Sequence, residues 1–280
     1  MEKNILKRVA SLALALVMVL SVLVVVDPKE VSAAGVTKNG TGKWSVTISD
    51  DQCYGDAGYD AYGNYISYGT GQVYWIKFKA KVDGYVRFTA SPATSLNSFS
   101  DGKWGLYDNK KKLLSYEDTF TTLKDDYKQT YYGIKKNKTY YFGVKAYMGT
   151  KINASFTKVN EKSGSKKSKA KTIARNQKVQ GVITANSKET DWYKFKLSKK
   201  QYVNLSFAAK TNGVLKFTIY QGGRSIGTVK QNYESSESYS DYIRHVYTKA
   251  KLKIPKGTTY YIKVEREGTG SSGGYTLKWK

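Results

Sequence analysis

The feature that most limits how this chain can fold is a strict alternation of apolar and polar residues in short runs. In Trp192-Tyr193-Lys194-Phe195-Lys196-Leu197, Tyr193, Phe195 and Leu197 share one face, and Trp192, Lys194 and Lys196 share the other. That period of two belongs to a strand with one buried and one wet face. Tyr202–Phe207 repeats it with Val203, Leu205 and Phe207 inward, as do Leu215–Ile219, Tyr261–Val264 and Tyr275–Trp279. Turn-forming residues separate the runs: Ser198-Lys199-Lys200, Gln221-Gly222-Gly223, Pro255-Lys256-Gly257 and the glycine-rich stretch Gly268–Gly274. Short alternating strands without a long helical period predict an all-β chain built from antiparallel β-sandwiches of jelly-roll or immunoglobulin-like type. Lys43–Ile48 is the expected opening strand of a first domain, and Gly181-Val182-Ile183 of a second.

The runs occur twice. Tyr74–Val86 matches Asp191–Val203 without a gap at Trp75/Trp192, Lys77/Lys194, Phe78/Phe195, Lys79/Lys196, Tyr85/Tyr202 and Val86/Val203. Lys103–Tyr107 matches Lys216–Tyr220, and Ile134–Val144 matches Ile254–Val264. Three blocks in one order at nearly one spacing read as a tandem duplication. The expected division is a first sandwich over 35–160, a polar linker over 161–169 (Glu161-Lys162-Ser163-Gly164-Ser165-Lys166-Lys167-Ser168-Lys169) and a second sandwich over 170–280.

Residues 1–34 read as a secretory signal peptide. Lys3, Lys7 and Arg8 precede an apolar run over Val9–Val26, Asp27-Pro28 ends it, and Ser32-Ala33-Ala34 offers small residues for cleavage. The run is nearly long enough to span a bilayer, so an uncleaved N-terminal anchor is the alternative. No second apolar run follows, so no transmembrane span is expected after cleavage. The expected location is extracellular, with retention at the cell envelope, and the style of the segment fits a Gram-positive bacterium. Cys53 is the only cysteine, so an intrachain disulfide is excluded.

The pattern Val179-Gln180-Gly181-Val182-Ile183, Asp191-Trp192-Tyr193-Lys194-Phe195, Phe217-Thr218-Ile219-Tyr220 and Pro255–Val264 resembles the bacterial pre-peptidase C-terminal domain. The resemblance covers about residues 168–280. The first repeat is a more distant copy, with Tyr74 in place of the Asp and Lys136-Asn137 in place of the Pro-Gly turn. It implies a β-sandwich module in an accessory, non-catalytic role: binding, adhesion or spacing.

Catalytic chemistry has little to work with. His245 is the only histidine and stands beside Arg244, so it reads as a surface bystander; Cys53 would need that same histidine as its base. Cys/His zinc sites are excluded by count. A paired-carboxylate hydrolase of glycan or peptide, or an accessory subunit of one, is the alternative function. Asp50, Asp51, Asp56 and Asp60 form an acidic, glycine-rich stretch that is a candidate calcium site, against a plain reading as turn-forming aspartates.

Charge and aromatic content carry the functional expectation. The chain has 47 Lys and Arg against 22 Asp and Glu; residues 161–280 hold 25 and 8 of these. Such a field attracts polyanions. For an exported protein these are anionic cell-wall polymers, glycans or lipid head groups, with nucleic acid bound only non-specifically. There are 25 tyrosines. Tyr54, Tyr59, Tyr62 and Tyr65 crowd one region outside the repeated blocks, and Tyr233, Tyr239, Tyr242 and Tyr247 another. Both are expected as ligand-binding loops, or else as structural tyrosines.

Overall fold

In the computed structural model the alternation becomes strands whose apolar faces meet. The structure describes residues 35–59, 65–68, 70–94, 100–121, 129–231, 246–254 and 257–280, with backbone alone at 56–59, 65–68 and 246–256 where these are covered. The first half contains β1 (Gly35–Gly40), β2 (Lys43–Ile48), β3 (Asp56–Tyr59), β4 (Tyr65–Tyr68), β5 (Tyr74–Ala80), β6 (Gly84–Pro92), β7 (Asp101–Tyr107), β8 (Asp118–Thr121), β9 (Gln129–Ile134), β10 (Thr139–Ala146) and β11 (Thr150–Lys158). The second contains β12 (Lys171–Thr172), β13 (Lys178–Ile183), β14 (Asp191–Lys196), β15 (Gln201–Gln221), β16 (Arg224–Gln231), β17 (Val246–Ile254) and β18 (Thr259–Trp279). Among the described residues the helical content is two short 3₁₀ turns, Asp50–Gln52 and Lys167–Lys169.

Strand pairing builds the first sandwich from a sheet ordered β1-β5-β10-β7-β8 and a second ordered β2-β11-β6-β9. Between them lie Ile76, Phe78, Phe88, Trp104, Tyr132 and Phe142, all essentially without solvent contact. Phe88 stacks on Phe142 at 3.7 Å, and Trp104 on Phe120 at 4.6 Å. Each such ring stabilises the fold by about 1.5–3 kcal/mol through burial. The second half has its own core around Tyr193, Phe195, Phe207, Phe217, Tyr260 and Trp279. The inward positions read from the alternation, Tyr193, Phe195, Leu197, Val203, Leu205 and Phe207, are buried.

The two halves share one wiring. β5 lies between a parallel partner, β1, and an antiparallel one, β10; β14 lies between parallel β12 and antiparallel β18. β10 pairs with β7, which pairs with β8; residues 260–267 of β18 pair with 214–221 of β15, which pair with β16. The other layer, β2-β11-β6-β9, corresponds to β13, residues 273–279 of β18, residues 201–209 of β15, and β17. The halves differ in continuity. In the second, β15 and β18 each run through both layers as single 21-residue strands. The register shifts between Asn212 and Val214, where Gly213 takes φ +77°, a left-handed conformation that only glycine adopts at little cost.

Three expectations change here. Each half opens one strand earlier than its alternation signals, at β1 and β12, and both strands pair in parallel, so the sheets are not purely antiparallel. The Gly268–Gly274 stretch is not a hairpin turn but the middle of β18. Its glycines receive the first half instead. A Cβ on Gly274 would stand 2.2 Å from the Tyr85 ring, and one on Gly133 would stand 2.3 Å from the Ile183 carbonyl oxygen. Asn212 Nδ2 donates to Thr130 Oγ1 at 3.3 Å across the same junction. Segment 161–169 is fastened to the second sandwich: Gly164 exchanges two backbone hydrogen bonds with Trp192, and Ser163 Oγ donates to Asp191 at 2.7 Å.

Candidate functional site

The outer surface of the layer made by β13, residues 273–279 of β18 and residues 201–209 of β15 collects lysine. Alternation places Lys178, Lys278 and Lys210 outward, because Val179, Leu277 and Ala209 beside them point into the core. Together with Lys158 and Lys280 they line a cleft of about 550 Å³, closed on the other side by Tyr85, Thr157 and Val159 of the first sandwich. Among the described residues no Asp or Glu lines it. Lys178 and Lys278 are direct cross-strand partners, an arrangement of like charges that costs stability. Lys210 is held by ring faces, its Nζ lying 5.9 Å from the Tyr85 centroid and 5.8 Å from that of Tyr131.

The described acids of the second half are engaged elsewhere. Glu265 and Glu267 meet Lys216, Lys230 and Lys263 on the opposite layer, with Lys230–Glu267 at 2.7 Å and Lys263–Glu265 at 2.5 Å. Among the described residues none of the five cleft lysines has an ion-pair partner. The lysine face continues toward Tyr202, which is 64% exposed. On β17, Lys249, Lys251 and Lys253 occupy the register positions opposite Ser206, Asn204 and Tyr202.

Of the tyrosines singled out by sequence, Tyr54, Tyr59, Tyr65 and Tyr247 are among the described residues. Tyr54 is half-buried: its ring meets Tyr147 edge-on at 6.4 Å, and its backbone N–H donates to Ala146 O at 2.8 Å. Tyr59 and Tyr65 are cross-strand partners in the β3–β4 ribbon. Tyr247 stands within strand β17, opposite the cleft residue Ala208, rather than in a loop. Tyr62, Tyr233, Tyr239 and Tyr242 lie outside the described residues, as do His245, Asp60 and residues 1–34.

Of the acidic stretch, Asp50, Asp51 and Asp56 are among the described residues. Asp50 and Asp51 begin a 3₁₀ turn; Asp50 Oδ1 accepts from the Gly149 N–H at 2.6 Å, and Asp51 accepts from Ser49 Oγ. Asp56 pairs with Tyr68 in the ribbon. Among the described residues no three His, Cys, Asp or Glu side chains come together as a metal-holding group. Cys53 is buried, its Sγ 3.3 Å from Ser49 O; burial first, then Asp50 and Asp51, push its thiol up to about 12. A thiol so held is a poor nucleophile.

One carboxyl cluster was not anticipated. Asp191 is buried, accepting from Ser163 Oγ and, at 2.5 Å, from Tyr275 Oη, which is 2.9 Å from Tyr193 Oη. Burial, then the hydrogen-bonded Glu161 and its charge, push Asp191 up to about 8. Glu161 in turn meets Lys135 of the first sandwich at 3.3 Å, and Lys135 also meets Glu189 at 3.5 Å. Every oxygen of Asp191 is engaged by the protein itself, which makes the cluster a tie between segment 161–163, β14 and the junction. Its only sequence signal was Asp191 ahead of Trp192.

No family model matches the sequence, and no curated protein matches it. Among solved structures the chain is similar to the pre-peptidase C-terminal domain of a collagenase from Bacillus anthracis, at 18% identity over 39% of this chain and 93% of that one, with a TM-score of 0.29. It is also similar to the tandem CBM22-1-CBM22-2 domains of Xyn10C from Paenibacillus barcinonensis, at 9% identity over 70% and 78%, with a TM-score of 0.24. Among the described residues no helix is long and apolar enough to cross a membrane.

Proposed function

We propose that this chain is an exported, non-catalytic binding protein that holds anionic glycans or envelope polymers on the lysine face of its second sandwich. The observation that carries this reading is the cleft at the sandwich junction: five lysines, no Asp or Glu among the described residues, and two of the lysines directly opposed across a strand pair. A polyanion lying there relieves the repulsion and releases its own counterions, so its affinity falls as salt rises. The apolar run over Val9–Val26 and the small residues Ala33 and Ala34 support export, and the absence of disulfide chemistry is compatible with it. The shared wiring of the halves, added to the three repeated blocks, supports their descent from one pre-peptidase C-terminal-like module. The test is binding of polyphosphate and of an anionic glycan at low and high salt, by wild type and by the K178S/K210S/K278S variant. We expect tight binding at low salt, lost at high salt, and weakened at least tenfold in the variant. Equal affinity of variant and wild type would overturn the assignment.

A further inference from the structure

The core explains why inward residues recur in both halves, but not why outward ones do. Trp75 on β5 and Trp192 on β14 hold the same position, half-buried on the outer surface of the five-strand layer. Tyr141 and Tyr261 match on the adjacent strands β10 and β18, and Tyr107, which is buried and donates to Glu117 Oε1 at 3.0 Å, matches Tyr220 one strand further on. In the first half Trp75 meets Tyr107 at 5.0 Å and Tyr141 at 6.0 Å, both edge-on. In the second Trp192 meets Tyr220 at 5.5 Å, and Tyr220 is the cross-strand partner of Tyr261.

Each patch also carries an ammonium group. Lys111 Nζ lies 4.8 Å from the Trp75 centroid and 5.5 Å from that of Tyr141. Lys167 Nζ lies 4.9 Å from the Tyr261 centroid and 5.8 Å from that of Tyr220. These lysines do not correspond: Lys111 comes from the turn after β7, Lys167 from the 3₁₀ turn before β12. The same combination of Trp, two Tyr and a lysine is thus reached by two chain routes. Among the described residues neither lysine is in an ion pair; Lys167 donates only to the Gly222 carbonyl.

We propose that the two patches are a duplicated site for acidic saccharides, one per sandwich. The C–H face of a sugar ring packs on the indole or phenol faces, and the lysine, already standing over those rings, meets the sugar's carboxylate or sulfate. The patches lie on the opposite layer from the lysine cleft. They share with the proposed function only the class of ligand, and a different set of variants reports on them.

The test titrates the full chain with hexagalacturonate and with uncharged cellohexaose at high salt, where the cleft is screened, and with polyphosphate at low salt. Tryptophan fluorescence and calorimetry are the readouts. We expect two hexagalacturonate sites per chain. W75A and W192A should each remove one, and the double variant should bind at least tenfold more weakly. Should the double variant melt early, K111Q/K167Q decides: it should weaken hexagalacturonate but not cellohexaose. Polyphosphate binding at low salt should respond to K178S/K210S/K278S and not to the tryptophan changes. Hexagalacturonate binding that is unchanged in W75A/W192A with wild-type melting, or in K111Q/K167Q, overturns the proposal. Loss of hexagalacturonate only in the cleft variant overturns it too, while leaving the cleft reading intact.

Discussion

Replacing Asp191 by Asn should change how stability depends on pH, by an amount set by the Asp191–Glu161 tie. In the unfolded chain Asp191 titrates at the ordinary 3.8; in the folded chain it is pushed up to about 8. Between these values the folded state holds one proton that the unfolded state lacks. A raised folded value stabilises fully below the unfolded pKa, and that stabilisation is lost as pH rises toward the folded one. The slope is about −1.4 kcal/mol per pH unit, or roughly 3 kcal/mol from pH 5 to pH 7. Asn keeps the shape, can donate to Glu161 and can accept from Ser163 or Tyr275, but carries no proton to lose. Losing one acceptor costs about 1–2 kcal/mol at all pH values. Urea unfolding at several pH values, followed by tryptophan fluorescence, gives both curves, and the titrating groups that do not touch the Asp191–Glu161 pair cancel in the difference. The stability of D191N minus that of wild type should climb by about 1.4 kcal/mol per pH unit between pH 5 and pH 7. Parallel curves would refute the raised Asp191 and with it the reading of the cluster as a shared-proton tie.

Two further outcomes follow from packing. G133A should cost on the order of 1–3 kcal/mol, because its Cβ would meet the Ile183 carbonyl and the backbone at Gly273, neither of which can swing aside. G223A, which meets nothing, should stay within about 0.5 kcal/mol by the same thermal melt. Native Cys53 should resist alkylation at pH 8 and react only on unfolding; rapid labelling of the folded chain would contradict its burial.

The sandwich layers were legible because burial imposes a period of two, and Tyr193, Phe195 and Leu197 display it without interruption. β12 was not legible: Lys171 and Thr172 are both exposed and leave no alternation to read. Gly268–Gly274 looks like a turn to any local rule, since glycine's conformational freedom and glycine's small size give the same letters. Here size decides at Gly274, which takes the Tyr85 ring. The tyrosine clusters were read as ligand-binding loops or else as structural tyrosines; among the described members Tyr247 is held in a strand and Tyr54 is packed against Tyr147. Sequence proximity says nothing about which side chains converge.

The sequence by itself determined the all-β class, the two-fold repetition of the strand blocks, the inward residues and the excess of positive charge, because each is a property of local order or of a sum. The tertiary structure decided where that charge acts. Glu265 and Glu267 neutralise lysines on one layer of the second sandwich, while among the described residues Lys178, Lys210 and Lys278 have no ion-pair partner on the other. It also placed Lys111 and Lys167, distant in sequence from Trp75 and Trp192 and unrelated to each other, over the equivalent rings of Tyr141 and Tyr261. A net charge is additive along a chain, but the field at a surface depends on which charges the fold brings within a few ångströms of one another.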